Sequence, residues 1–189
     1  MHLLIGLGNP GKRYAQTRHN FGFWLMDELA RRYDITFKPG RGSYLVARGG
    51  EVILVKPTAS MNNSGLPVRE ALTFFQAGQD EMMVVYDDID LPLGALRFRP
   101  AGGDGGHKGM ESVIYQLASE KFGRLRIGIA TDAPMRPSEK YVLRPFRKQD
   151  QPLIDEVRQN ATDGLVYYME NGMEPAMTRY NSRPEAANT

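Results

Sequence analysis

Met82-Met83-Val84-Val85 is a run of apolar residues with no polar alternation. A strand that faces water on one side alternates polar and apolar residues. An unbroken run is the mark of a strand covered on both faces, as in the middle of a parallel sheet. The segments around it supply what such a strand needs. A first strand runs from His2 to about Leu7, and another over 125–129. Segments 43–48 and 51–55 flank Gly49-Gly50, a hairpin signal. Leu96-Arg97-Phe98-Arg99 alternates apolar and basic residues, which predicts a strand with one wet, positive face.

Helical periodicity fills the gaps. Phe21, Trp24, Leu25 and Leu29 share one face of a helix over about 21–33, and Val68, Leu72 and Phe75 mark a shorter one. Met110, Val113, Ile114 and Leu117 line up after a glycine-rich loop, and a long amphipathic helix is expected over 151–171. Alternating strands and helices predict an α/β fold: a single-domain, three-layer sandwich with a mixed, largely parallel central sheet flanked by helices. The catalytic domain is expected over residues 1–181, and the polar segment 182–189 as a flexible tail.

Composition narrows the chemistry. The chain has 189 residues, three histidines and no cysteine. Disulfides, thiolate metal sites and cysteine nucleophiles are therefore excluded. No apolar run approaches the ~18 residues of a membrane span, and no signal-peptide pattern opens the chain. A cytoplasmic protein without a membrane partner is expected. The net charge of +2 is small, but Arg97, Arg99, Arg124, Arg126, Lys140, Arg144, Arg147 and Lys148 all fall in the second half. Such clustering suits a phosphate-binding face, with scattered solvated charge as the alternative.

In open α/β sheets, sites gather beyond the carboxyl ends of the strands. Asn9, His19, Asn62 and Asp87 all lie just after expected strands or in the loops that follow, and His107 sits in a loop that enters a helix. A histidine and an aspartate on separate strand exits are the minimum kit for activating a water molecule. Taken singly, His19 could cap a helix and Asp87 could be an ordinary loop residue. Asn62 is a side-chain amide able to donate to an oxyanion, or else part of an Asx turn.

Gly6, Gly8 and Gly11 satisfy G-x-G-x-x-G after a strand. A dinucleotide site needs the third glycine to open the crossover helix, yet helical periodicity begins only after Arg18-His19-Asn20. A tight turn that brings Asn9 close to a ligand is the better reading. The run from Gly102 to Gly109 offers backbone N–H groups at a helix start, suited to an anion, but lacks P-loop spacing. Asp88 and Asp90 stand without a spaced set of further ligands, so no metal is expected.

As a set these residues resemble the bacterial peptidyl-tRNA hydrolase family. The matching segments are Gly6-Leu7-Gly8-Asn9-Pro10-Gly11 with Tyr14, Thr17-Arg18-His19-Asn20-Phe21-Gly22, and Lys56-Pro57-Thr58 leading to Met61-Asn62 and Ser64-Gly65. They continue through Asp87-Asp88-Ile89-Asp90-Leu91-Pro92 with Gly94, Gly105-Gly106-His107 with Gly109, residues 124–129, and Val142-Leu143 with Phe146. The match covers almost the whole chain in order.

The resemblance implies cofactor-free hydrolysis of the ester joining a peptide to the 3′ end of tRNA, by a monomer that contacts the acceptor stem. It implies His19 as base and Asp87 as its orienting carboxylate, with Asn9 and Asn62 positioning substrate and water or steadying the intermediate. Tyr14 and Met61 match residues lining the site of the terminal nucleotide or ester, and His107 a peptide-side rim. Arg97 and Arg99 match positive charge facing the acceptor stem. Two departures stand out. Lys108 occupies a position where many members carry Asn, and Ala130-Thr131 replaces the usual glycine and basic residue. The Lys108 ammonium offers donors but no acceptor, which leaves a peptide contact, a phosphate or the oxyanion open to it. The competing class is a catalytically silent RNA-binding protein of the same fold.

Overall fold

The computed structural model describes residues 1–132 and 135–181. In chain order the elements are β1 (His2–Gly6), α1 (Phe21–Arg32), β2 (Lys38–Pro39), β3 (Tyr44–Gly49), β4 (Val52–Pro57), α2 (Gly65–Phe75) and β5 (Met82–Pro92). β6 (Leu96–Arg99), α3 (Lys108–Leu117), β7 (Gly123–Ala130), α4 (Ser138–Val142), α5 (Gln151–Asn171) and α6 (Met173–Tyr180) follow.

One seven-stranded sheet runs in the order β2-β3-β4-β1-β5-β7-β6. Its centre is parallel: β1 pairs with β4 and β5, and β5 with β7. The antiparallel pairs lie at the edges, where β3 turns back on β4, β2 extends β3, and β6 closes on β7. This is the mixed, largely parallel sandwich expected from the sequence.

The apolar run of β5 is explained by its two-sided burial. Met83 and Val85 pack with Leu25, Leu29, Ile154 and Leu165 from α1 and α5. Met82 and Val84 pack on the opposite face with Val68 and Leu72 of α2 and Met110 and Val113 of α3. All four β5 side chains are fully buried, each worth about 1.5–3 kcal/mol relative to exposure. In β6, Leu96 and Phe98 are buried while Arg97 and Arg99 are not, as the alternation predicts.

One boundary needs correcting. Asp87 does not follow the strand; it lies inside it. β1 stops pairing at Gly6 opposite Val85, but β5 continues beside β7 through Asp87 opposite Ile127 and Asp88 opposite Gly128. β7 still offers hydrogen-bond partners to these polar residues, so β5 stays extended past the apolar run. With β1 ended, Asp87 faces a crevice at the point where the chain leaves β1 towards β4 on one side and β5 on the other. The sequence pattern also did not foresee β2, α4 or α6. α6 is set off from α5 by Gly172, whose φ of +86° ends the first helix.

Among the described residues no helix is long and apolar enough to cross a membrane. The tail expected over 182–189 lies outside the described residues, as do positions 133 and 134.

Candidate active site

The loop after β1 does not form a dinucleotide turn. Beyond Gly11 come two 3-10 turns, Lys12–Tyr14 and Arg18–Asn20, and α1 opens only at Phe21. The Asn20 side chain ties the loop together. Its Oδ1 accepts from the Asn9 N–H at 2.8 Å and its Nδ2 donates to the Asn9 carbonyl at 2.9 Å. Gly22 then lets the helix start press on the sheet. A Cβ there would lie 2.4 Å from the Val85 carbonyl oxygen and 2.5 Å from that of Leu7. Only a bare backbone permits this approach, and it delivers His19 to Asp87 within β5.

His19 Nδ1 lies 2.9 Å from both Asp87 Oδ1 and Oδ2. The carboxylate is 1% exposed and the histidine 9% exposed. Burial disfavours charge on His19, but the facing carboxylate and its hydrogen bond outweigh it, so the imidazole pKa is raised above 6.5. Burial likewise opposes ionisation of Asp87. The positive field of His19 and the hydrogen bonds from His107 and His19 win, holding Asp87 well below the usual carboxylate range. An ionised acceptor on Nδ1 fixes the tautomer, with the hydrogen on Nδ1 and the lone pair on Nε2.

His107 reaches the same carboxylate. Its Nε2 is 3.2 Å from Asp87 Oδ1, and its Nδ1 accepts the Met110 N–H at 3.2 Å as the N-cap of α3. A ring nitrogen that accepts cannot carry hydrogen, so Nε2–H donates to Asp87. The two imidazoles lie with centroids 4.8 Å apart. Gly109 allows this closeness, since a Cβ would meet Met61 Sδ at 2.5 Å and His107 Cε1 at 3.0 Å.

His19, Asp87 and His107 each offer a ligand atom within 4.8 Å of one another, a spacing that can hold a metal ion. These nitrogens already donate to the carboxylate at 2.9 and 3.2 Å. An ion would have to replace both bonds.

Comparison with known proteins gives the family. The family model described as peptidyl-tRNA hydrolase matches residues 3–188. The chain belongs to the peptidyl-tRNA hydrolase family. It is 44% identical to the peptidyl-tRNA hydrolase of Geobacillus kaustophilus, with 96% of this chain and all of that protein aligned. It is 41% identical to that of Chlorobaculum parvum, covering 96% and 98% of the two chains. The crystal structure of peptidyl-tRNA hydrolase from Acinetobacter baumannii superposes with a TM-score of 0.90 at 32% identity, covering 98% of this chain and 97% of that one.

Several expected residues gather around the His19–Asp87 pair. A cavity beside it is lined by His19, Tyr86, Asp87, His107, Lys108 and the α4 residues Ser138, Glu139 and Val142, among others. Asn9 does not line that cavity but a separate hollow with Trp24, Lys56 and Thr58; it is buried, and its Oδ1 accepts the Met61 N–H at 2.8 Å. The Nδ2 end of the amide is thus left to donate to a ligand. Met61 is buried and gives Asn9 its anchor through the backbone, while Asn62, next in the chain, is exposed.

Others sit apart or are already engaged. Tyr14 lies outside the cavity lining among the described residues, against Arg13, whose guanidinium is 4.4 Å from its ring centre. Lys108 lines the cavity but bonds Glu111 at 2.8 Å. Arg97 donates to the Asn181 carbonyl at 2.9 Å, whereas Arg99 is exposed. Sequence reasoning missed Asn20 and Arg18 as organisers, and Arg126, whose Nε bonds Asp88 at 2.5 Å. Adjacency to His19 was the only signal for Arg18 and Asn20, and the basic cluster containing Arg126 did not point to Asp88.

Proposed function

We propose that this chain hydrolyses the ester between a peptide and the 3′ end of tRNA, freeing the tRNA, with water activated by His19. The observation that carries this reading is the buried His19–Asp87 pair at 2.9 Å, which leaves Nε2 as the basic nitrogen. His19 Nε2 takes a proton from water as the water oxygen bonds to the ester carbonyl carbon. The Asn9 amide nitrogen, held from behind by Met61, donates to the oxyanion. Collapse breaks the bond to the ribose oxygen, which takes the proton back from His19 Nε2–H. Every step uses groups of this chain, and the reading requires neither metal nor cofactor.

Asn62 serves substrate positioning from the exposed side of Met61, with Tyr14 at the outer edge. Arg99 supplies charge to the acceptor stem, and Arg97 braces the same strand through Asn181. His107 acts through Asp87. Lys108 forms a charged rim with Glu111 and is free to exchange that partner for a phosphate or peptide carbonyl. The active groups come from one polypeptide, so a monomer suffices, and tRNA as substrate places the work in the cytoplasm.

The test is release of a labelled group from tRNA carrying an N-acetyl-aminoacyl or a free aminoacyl ester. Release of the N-blocked group with the free ester spared supports the reading. Tight tRNA binding without release from either substrate overturns it in favour of a silent RNA-binding protein.

A further inference from the structure

The residue before the base carries a buried charge that the mechanism above does not use. Arg18 is 3% exposed and makes no ion pair with a carboxylate among the described residues. Its Nη1 donates to three main-chain carbonyls, those of Tyr141 at 3.3 Å, Arg144 at 3.1 Å and Pro145 at 2.8 Å. The guanidinium carbon lies 4.1 Å from the Tyr141 ring centre and 4.8 Å from that of Phe146. Backbone contacts run in parallel: the Arg18 N–H donates to the Arg144 carbonyl at 3.1 Å, and Thr17 bridges Pro145.

Burying an unpaired cation is costly. Carbonyl dipoles and two aromatic faces offset the cost here, and all of these partners lie within residues 141–146. That segment continues α4, whose Ser138, Glu139 and Val142 form one wall of the cavity over His19. α4 has five residues, too few to hold a helix by itself. Its place is set by what it is tied to. The second tie is Tyr141, whose hydroxyl donates to the Ile129 carbonyl at 2.6 Å and accepts the Thr131 N–H at 3.2 Å.

We propose that Arg18 is a positioning residue for the peptide part of the substrate: it fixes the α4 wall of the cavity to the same loop that carries the base. The inference rests on the proposed ester hydrolysis and on placing the peptide in the cavity lined by His107, the residue that the family resemblance puts at the peptide side. Arg18 acts on how the peptide is received and leaves the acid–base chemistry of His19 to Asp87. Arginine suits this task because Nη1 meets the carbonyls while the face of the planar group stacks on both rings.

The experiment compares wild type, Arg18→Lys and Arg18→Met on one tRNA acylated with either N-acetyl-phenylalanine or an N-acetylated tripeptide ending in phenylalanine. Loss of charge-assisted bonds to the wall is expected to raise KM for the tripeptide ester by about tenfold or more in Arg18→Met. KM for the single-residue ester should move much less, and the pH inflection of turnover should stay in place. Arg18→Lys is expected to recover part of the loss. Amide exchange over residues 138–146 should quicken in Arg18→Met, a readout independent of activity.

An equal rise in KM on both esters, or a fall in kcat with KM unchanged, overturns the proposal. If Arg18→Met does not fold, Tyr141→Phe releases the other tie and should show the same peptide-dependent KM, or the proposal fails. Absence of hydrolysis by the wild type would sink the functional reading instead, while unchanged amide exchange in the variant would sink the positioning role alone.

Discussion

His19→Ala is expected to lower turnover of N-acetyl-aminoacyl-tRNA by at least ~10²–10⁴, the contribution of a positioned general base, with tRNA affinity close to that of the wild type. The argument is geometric. Asp87 occupies Nδ1 at 2.9 Å, so Nε2 is the nitrogen through which the ring can serve water. His107 cannot take over, because its Nε2 donates to Asp87 and its Nδ1 caps α3. Alanine leaves the binding surfaces in place and removes only the proton acceptor. Single-turnover release measured beside tRNA binding checks this. Turnover within a few-fold of wild type would remove His19 from the role.

Asp87→Asn is expected to cost about 10³–10⁴ in turnover, the scale seen when an amide replaces the carboxylate that orients a catalytic imidazole. The carboxylate accepts from two rings at once, from His19 Nδ1 and from His107 Nε2. An asparagine has one acceptor oxygen and one donor nitrogen. Both carboxylate oxygens lie 2.9 Å from His19 Nδ1, so in either orientation the amide nitrogen meets that ring nitrogen and favours the wrong tautomer. The substitution also deletes the negative charge that raises the His19 pKa, so any residual activity should show its acid-side inflection shifted down. Release rates for Asp87→Asn over a pH series measure both effects. A variant with near-normal rate and an unmoved inflection would show that Asp87 does not orient the base.

The same charges affect stability. The raised His19 pKa favours the folded state below its unfolded value of 6.5, and that gain is lost as pH rises through the folded pKa. The depressed Asp87 pKa stabilises the fold above the unfolded value of 3.8, and that gain is lost on acidification through the folded pKa.

Periodicity made the layers legible. The unbroken run at Met82–Val85 required cover on both faces, and the pattern in α1 and α3 showed which residues provide it. Apolar patterning stops at Val85 and so puts Asp87 beyond the strand. Hydrogen bonding to β7 does not stop there, and a polar residue inside a strand leaves no periodic trace. His19 and Asp87 could be paired from their places at strand exits. The attachment of His107 to the same carboxylate depends on the N-terminus of α3 packing against Met61 across Gly109, a tertiary contact with no local signature. Arg97 illustrates the limit for charge. Alternation placed it off the core side of β6, but its partner Asn181 is 84 positions away, and sequence clustering of arginines does not reveal an acceptor so distant.

The central claim is that a histidine made more basic by a buried carboxylate activates water for ester cleavage. Its most direct test is the pH dependence of single-turnover release from N-acetyl-aminoacyl-tRNA by the wild-type protein. His19 must be neutral to accept a proton, and its pKa lies above 6.5, so the rate should climb with pH through an inflection above that value. A rate that is flat across the histidine range, or that falls as pH rises through it, would contradict the account.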